Sequence, residues 1–237
     1  MMTILRSKWN LLSTKLSASE LAERLAKESF YSGALFGFEV LSFKNNLLTV
    51  SYHEEYEHVD SYFDPFGSEK IVKSVRYKFL KVYLRFLGNG QYLVQLENLP
   101  RTSISFYKNL NIVIGSNLSV SDVKFDVESL LDRVSNSGCI RQFKIKQASF
   151  SSIYLNEKSR AKLEITSTKN ALNEFNASFD YKKYVLDKVK CDFRMDNENL
   201  YLELRKTGVI SHSKNLVNFL TELILEELQT QNMKFSS

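Results

Sequence analysis

The segment His53-Glu54-Glu55-Tyr56-Glu57-His58, followed by Asp60 and Asp64, gathers imidazoles and carboxylates in one short stretch. Such groups are the hard nitrogen and oxygen donors that a hydrolytic metal centre uses. The spacing is wrong for a metalloprotease helix, which needs two histidines four apart with a glutamate after the first; here they are five apart. A loop could still cup His53, Glu57 and His58 around a cation, with Glu54, Glu57 and Asp60 as the working carboxylates. That arrangement would make a metal-dependent nuclease. The competing expectation is a solvated acidic loop, since Pro65 and Gly67 punctuate the stretch.

A second pattern interleaves cations and rings. Lys70, Lys73, Arg76, Lys78, Lys81 and Arg85 follow one another with Tyr77 and Tyr83 between them, and no acidic residue occurs from 70 to 96. Lys144 and Lys146, and Lys188, Lys190 and Arg194, recur on later strand-like segments opposite apolar rows. A sheet packed on one face can offer the other to a partner. Lysines and arginines there would meet phosphates while tyrosines stack on bases. Lys73, Arg76, Lys78, Lys81, Arg85, Lys144, Lys146, Lys188, Lys190 and Arg194 are therefore the candidate contacts to DNA or RNA. Asp192, Glu203 and Glu164 sit among these cations, as they would on an ordinary solvated sheet face.

Nucleophilic chemistry has less to build on. Cys139 and Cys191 are the two cysteines, and neither lies near His212 in sequence. The run Ser211-His212-Ser213-Lys214 reads as the cap of a final helix. Gly33 and Gly37 lack the Gly-Lys-Ser/Thr unit of a phosphate cradle, and no cofactor motif is present.

The elements that would carry these residues follow from periodicity. Ser17 with Glu20 three residues later is a capping box and opens a helix over 18–31, with Leu21 and Leu25 on one face. Alternation around Asn45-Asn46 predicts a hairpin. In the basic segment, Leu80, Val82, Leu84 and Phe86 share one parity and Val75, Tyr77 and Phe79 the other. A phase change near Phe79 predicts a bulge or a strongly curved strand. Gly88-Asn89-Gly90 turns the chain into a return strand, and the stretch 103–115 reads as further strand. Ser119 and Asp122 signal the cap of a second helix with Val127, Leu130, Leu131 and Val134 inward. Strands follow at Phe143 and Ile145 and at Leu163 and Ile165, then a polar stretch at 167–181. A hairpin turns at 196–199, and an amphipathic helix spans 214–230, with a frayed tail beyond it.

The predicted class is α+β: mostly antiparallel sheet with long curved hairpins, helices packed on one face, and a two-fold pseudo-repeat. The halves would be 1–115, a helix with hairpins, and 116–237, a helix with hairpins and the C-terminal helix, with one continuous domain built from both as the alternative. With 43% hydrophobic residues the chain can fill a core, and a net charge of +5 permits a polyanionic partner without requiring one. Two cysteines are too few for a secreted disulfide scaffold, and the N-terminus lacks a continuous apolar leader, so the cytoplasm is the expected compartment. No stretch reaches transmembrane length. The functional expectation is a non-catalytic subunit of a larger assembly. Its partners would be other protein subunits and nucleic acid, with no membrane and no cofactor, and the metal-dependent nuclease is the alternative.

Overall fold

A computed structural model describes residues 3–100, 102–115, 118–123, 125–156, 158–179 and 183–235, with side chains through 229. The frayed tail expected beyond 230 is corrected in part: helix continues to Phe235, and residues 236–237 lie outside the described set. The chain divides into two compact units, Trp9–Asp122 and Met1–Lys8 with Val123–Ser237. Strand β1, Ile4–Ser13, gives its first half to one unit and its second half to the other.

In the unit Trp9–Asp122, helix α1 (Ala18–Lys27) starts where Ser17 Oγ accepts from Glu20 N–H and the Glu20 carboxylate accepts from Ser17 N–H. Strands β2 (Phe36–Lys44) and β3 (Leu47–Phe63) meet through Asn45 and Asn46, both left-handed at φ 50° and 60°. Asparagine tolerates that region, which suits a two-residue hairpin turn. Strand β4 (Glu69–Gly88) returns along β3, and β5 (Gln91–Glu97) along the second half of β4. Helix α2 (Ile104–Ile114) and strand β6 (Ser119–Asp122) complete the unit, with β6 paired to Asn10–Ser13. Leu21, Leu25, Phe38, Val50, Val82, Leu84, Phe106 and Leu110 share one buried core, so α1 and α2 cover the same sheet face.

In the other unit, helix α3 (Val127–Ser135) precedes strands β7 (Ile140–Tyr154) and β8 (Arg160–Thr166). Helix α4 (Ala171–Ser178) leads to strands β9 (Val185–Met195), β10 (Glu198–Arg205) and β11 (Val209–Ser213). A 3-10 turn at Lys214–Leu216 enters helix α5 (Val217–Phe235). The sheet order is β8-β7-β9-β10-β11-β1, antiparallel throughout. No helix among the described residues is long and apolar enough to cross a membrane.

The class is mixed α+β with antiparallel sheet, but the expected curved hairpins are corrected: the sheet is not curled. Strands β3 and β4 pair without interruption from Leu47↔Arg85 to Phe63↔Glu69, with no register shift at Phe79. The phase change marks where the buried face ends. The two-fold repeat is not matched by element order either, because α4 interrupts the strands of the second unit and nothing interrupts β2 to β5 in the first.

Several local expectations are corrected. Residues 53–63 are strand, not loop, because every one of them pairs with β4. Residues 104–114 are helix, because Phe106, Leu110 and Ile114 recur every four residues and bury together. Ser119 and Asp122 lie in β6, and Asp126 is the residue that caps α3 by accepting from Ser129 N–H. Within the polar stretch, Asn170 caps α4, which buries Ala171 and Phe175; residues 180–181 of that stretch lie outside the described set. Ser213 ends a strand, and its Oγ accepts from Tyr201 N–H rather than capping a helix.

Candidate interaction surfaces

Past the base of the β3–β4 pair, where Glu55 N–H donates to the Leu35 carbonyl at 2.9 Å, β3 and β4 pair only with each other: β2 reaches β3 no further than Glu54, and β5 meets β4 from Lys81. This two-stranded ribbon has two solvent-facing sides, and strict alternation sorts its residues between them. On one side lie Glu54, Tyr56, His58, Asp60 and Tyr62 with Lys70, Val72, Ser74, Arg76 and Lys78. On the other lie Val59, Phe63, Ile71, Val75, Tyr77 and Phe79, all exposed. The arm is amphipathic, and its apolar side is the one continuous with Lys81, Tyr83 and Arg85 rather than with the core row Leu80, Val82 and Leu84.

Alternation also separates the residues expected to hold a metal. His53 and Glu57 are on the apolar side, while His58, Glu54 and Asp60 are on the other. The His53 ring stacks on Phe30 at 5.4 Å and meets Phe79 edge-on at 5.1 Å. Gly37 is its cross-strand neighbour, where a Cβ would lie 2.4 Å from the Phe30 backbone nitrogen. His58 Nε2 is 2.8 Å from Asp60 Oδ1. Among the described residues no cluster of three or more histidines, cysteines and carboxylates is set to hold a metal ion.

Glu54 is held at the root of the arm instead of being poised as a base. Its carboxylate accepts from Tyr52 Oη (3.1 Å), Ser105 Oγ (2.7 Å) and Lys78 Nζ (3.4 Å). Asn109 donates to Tyr52 Oη at 2.7 Å. Burial, above all, pushes the Tyr52 phenol up, with the Glu54 charge adding to it.

The cations of β4 are divided between the two sides and largely neutralised by β3. Lys73 contacts Glu57 at 3.0 Å, Arg76 contacts Asp60 at 3.1 Å and Lys78 contacts Glu54 at 3.4 Å. Lys70 lies 3.7 Å from Asp64. Lys81 sits over the Tyr83 ring, 5.3 Å from its centre. From His53 to Phe79 the arm carries six carboxylates (Glu54, Glu55, Glu57, Asp60, Asp64, Glu69) against four cations (Lys70, Lys73, Arg76, Lys78). What reads as a basic strand belongs to a net-acidic ribbon.

In the other unit, Lys188, Lys190, Asp192 and Arg194 do share the side of β9 opposite Val189, Cys191 and Phe193. Lys188 binds Glu164 at 2.8 Å, Lys190 approaches buried Glu203 at 3.8 Å, and Lys146 reaches Asp192 at 4.0 Å. The hydrogen bond from Lys188, with those from Ser149 and Gln147, holds the Glu164 carboxyl down to about 2. Lys144 and Arg194 form none of the ion pairs found among the described residues, and neither does Arg141, a cation that strand alternation alone does not single out. Its significance depends on register: it stands directly across from Arg194.

The cysteines are not brought to a histidine. Cys139 is exposed beside Ser137, and Cys191 is buried, its thiol pushed up by burial and then by Asp192. The histidine–hydroxyl contact that does form is His212 Nε2 with Ser7 Oγ at 3.0 Å, and both residues are fully buried.

No protein-family model matches this chain, and no curated protein sequence matches it. Among solved structures it is similar to DynU16, from the dynemicin biosynthetic locus, at 9% identity over 87% of this chain and 86% of that one, with a TM-score of 0.20. It is also similar to StfQ, the di-domain ARO/CYC of the steffimycin biosynthetic pathway, at 8% identity over 99% and 93% of the two chains, with a TM-score of 0.20. Scores this low carry no argument about fold or function.

Proposed function

We propose that this protein is a non-catalytic binding subunit that seizes a protein partner with the apolar side of the β3–β4 arm. The observation that supports this reading is the exposed row Val59, Phe63, Ile71, Val75, Tyr77 and Phe79 on a ribbon with no strand or helix packed over it among the described residues. Contiguous exposed apolar surface of this kind marks interaction sites in proteins that otherwise keep such groups inside. The same side carries Glu55, Glu57 and Glu69 against Lys73 alone. The partner is therefore a protein with an apolar strip rimmed by lysine or arginine; a polyphosphate backbone would be repelled there. Nothing comparable supports a nuclease, because its two histidines are split between opposite sides of the strand, and so are its carboxylates.

The test places a photo-crosslinking side chain at Val75, on the apolar side, or at Ser74, on the charged side, in the full chain inside its native cells. Val75 should give one discrete adduct with another protein, and Ser74 none. The crosslinked surface of that protein should be apolar with a basic rim. The complex rebuilt from purified components should be lost with Ile71→Lys and Val75→Lys together. A homotypic adduct, a nucleic-acid adduct, or equal labelling from both positions would overturn the reading.

A further inference from the structure

Arg141 and Arg194 are directly opposed across β7 and β9. Like charges in that position destabilise a sheet, and neither guanidinium has a carboxylate partner among the described residues. Arg194 Nη2 donates to the Asn197 carbonyl at 3.2 Å, while its Nε is buried with no hydrogen-bond partner among the described residues. A buried donor left unmade is costly and calls for an explanation.

The backbone is shaped around this pair. Between Arg141 and Lys144, β7 takes three residue steps while β9 takes two, from Arg194 to Asp192. The extra residue is accommodated with Gln142 in the left-handed region at φ 52°. Without this bulge Arg141 and Lys144 would face opposite ways; with it, both join Arg194 on the outer side of the sheet. Bulges commonly re-aim side chains in this way beside functional sites. A cavity of about 380 Å³ opens there, lined by Arg141, Gln142, Arg194, Asn197 and Gly138. A second, of about 350 Å³, adjoins it through Gln142 and Arg194 and is lined by Lys144, Phe193 and Leu200. Asp196 and Asp192 also border these cavities, so Arg141, Lys144, Lys146 and Arg194 leave the place net positive.

We propose that this pair of cavities binds a small phosphate ester, its phosphoryl group between Arg141 and Arg194 and its organic part in the adjoining cavity beside Lys144 and Asn199. A phosphate monoester carries nearly two negative charges and three strong acceptor oxygens. It can take both guanidinium forks, with the amides of Gln142 and Asn197 as further donors. A single carboxylate offers one charge and two oxygens, which leaves one of the opposed arginines uncompensated.

The experiment titrates the purified full chain with AMP, a sugar phosphate, inorganic phosphate, succinate and, at matched ionic strength, sodium chloride, read by calorimetry and by melting temperature. The phosphate esters should bind saturably and raise the melting temperature, ahead of inorganic phosphate and well ahead of succinate. Arg141→Gln and Arg194→Gln should each weaken ester binding about tenfold or more, whereas Lys188→Gln should not. Arg141→Gln should also raise the melting temperature of the unliganded protein, since it removes one of two opposed charges at an exposed position. That gain distinguishes a lost site from a damaged fold. Arg194→Lys keeps the charge, loses the fork, and should also bind weakly. No saturable binding, equal binding of succinate, or unchanged affinity in the Arg141 and Arg194 variants would overturn the proposal. Inorganic phosphate binding as tightly as the esters would remove the second cavity from it.

Discussion

Phe79 and Leu80 are neighbours in β4 and point to opposite sides: Leu80 is 3% exposed and Phe79 66%. Leu80 is the last residue of the buried row that includes Val82 and Leu84, and Phe79 begins the exposed row of the arm. The two residues mark the boundary between strand that is held by the core and strand that is held only by its hairpin partner. Ile71→Lys with Val75→Lys should therefore change folding stability by no more than about 0.5 kcal/mol per site, as surface changes do. Leu80→Ala should cost about 2–5 kcal/mol, as buried leucines do. Urea unfolding of the two variants measures the contrast. Equal losses would mean that the apolar side of the arm is covered by the chain's own packing.

How much of this was legible in the sequence depended on how local each cause is. The capping box at Ser17 and Glu20 and the Asn45-Asn46 turn are decided within a few residues, and both are plain in the sequence. The inward row Val189, Cys191 and Phe193 is equally plain, because alternation states it directly. The parity flip at Phe79 is visible too, but sequence alone ties an apolar row to a core, so it reads as a bent strand rather than an uncovered face. Helix α4 buries only Ala171 and Phe175, too few for a period to show. The fate of the cations was hidden for a different reason. Whether Lys73 or Arg76 is neutralised depends on which residues of β3 stand opposite, and that register is a tertiary fact. The pairing of Arg141 with Arg194 is of the same kind, since it needs both the register and the bulge.

Ser7 and His212 form a buried polar contact whose roles can be assigned. The Ser213 carbonyl lies 2.9 Å from His212 Nδ1 and can only accept, so Nδ1 carries the proton. In the neutral ring Nε2 then accepts from Ser7 Oγ. Complete burial denies this pair any substrate, so its role is structural. Ser7→Ala should leave Nε2 short of that donor and cost about 1–3 kcal/mol in urea unfolding. Ser7 should also stay unlabelled by a serine-directed fluorophosphonate in the native protein; labelling would show that the pair is reached from solvent.

Glu164 offers a pH signature. Lys188 foremost, then Ser149, lowers its carboxyl to about 2 in the folded protein, below its ordinary value of 4.5. A folded-state value that is depressed adds stability above the unfolded value, and that contribution is lost as pH falls through the folded one. The window is therefore between about 4.5 and about 2, and neutral pH lies outside it. A carboxyl-detected NMR titration should place the Glu164 midpoint near the bottom of that window. Lys188→Ala should move it up towards the ordinary value. A midpoint that ignores Lys188 would show that the ion pair does not persist in solution.

The two cysteines should differ sharply towards a thiol reagent. The thiolate is the reactive species, and burial at Cys191 both raises its thiol and blocks access, whereas Cys139 is exposed. A chromogenic disulfide reagent should titrate one thiol per native chain, and the second only in denaturant. Cys139→Ser should abolish the native reaction and leave the denatured one. Because Cys139 also lines the cavity of Arg141 and Arg194, its native labelling rate reports on that cavity. A bound phosphate ester should slow labelling in the wild-type chain and leave it unchanged in Arg194→Gln, where the ester no longer binds.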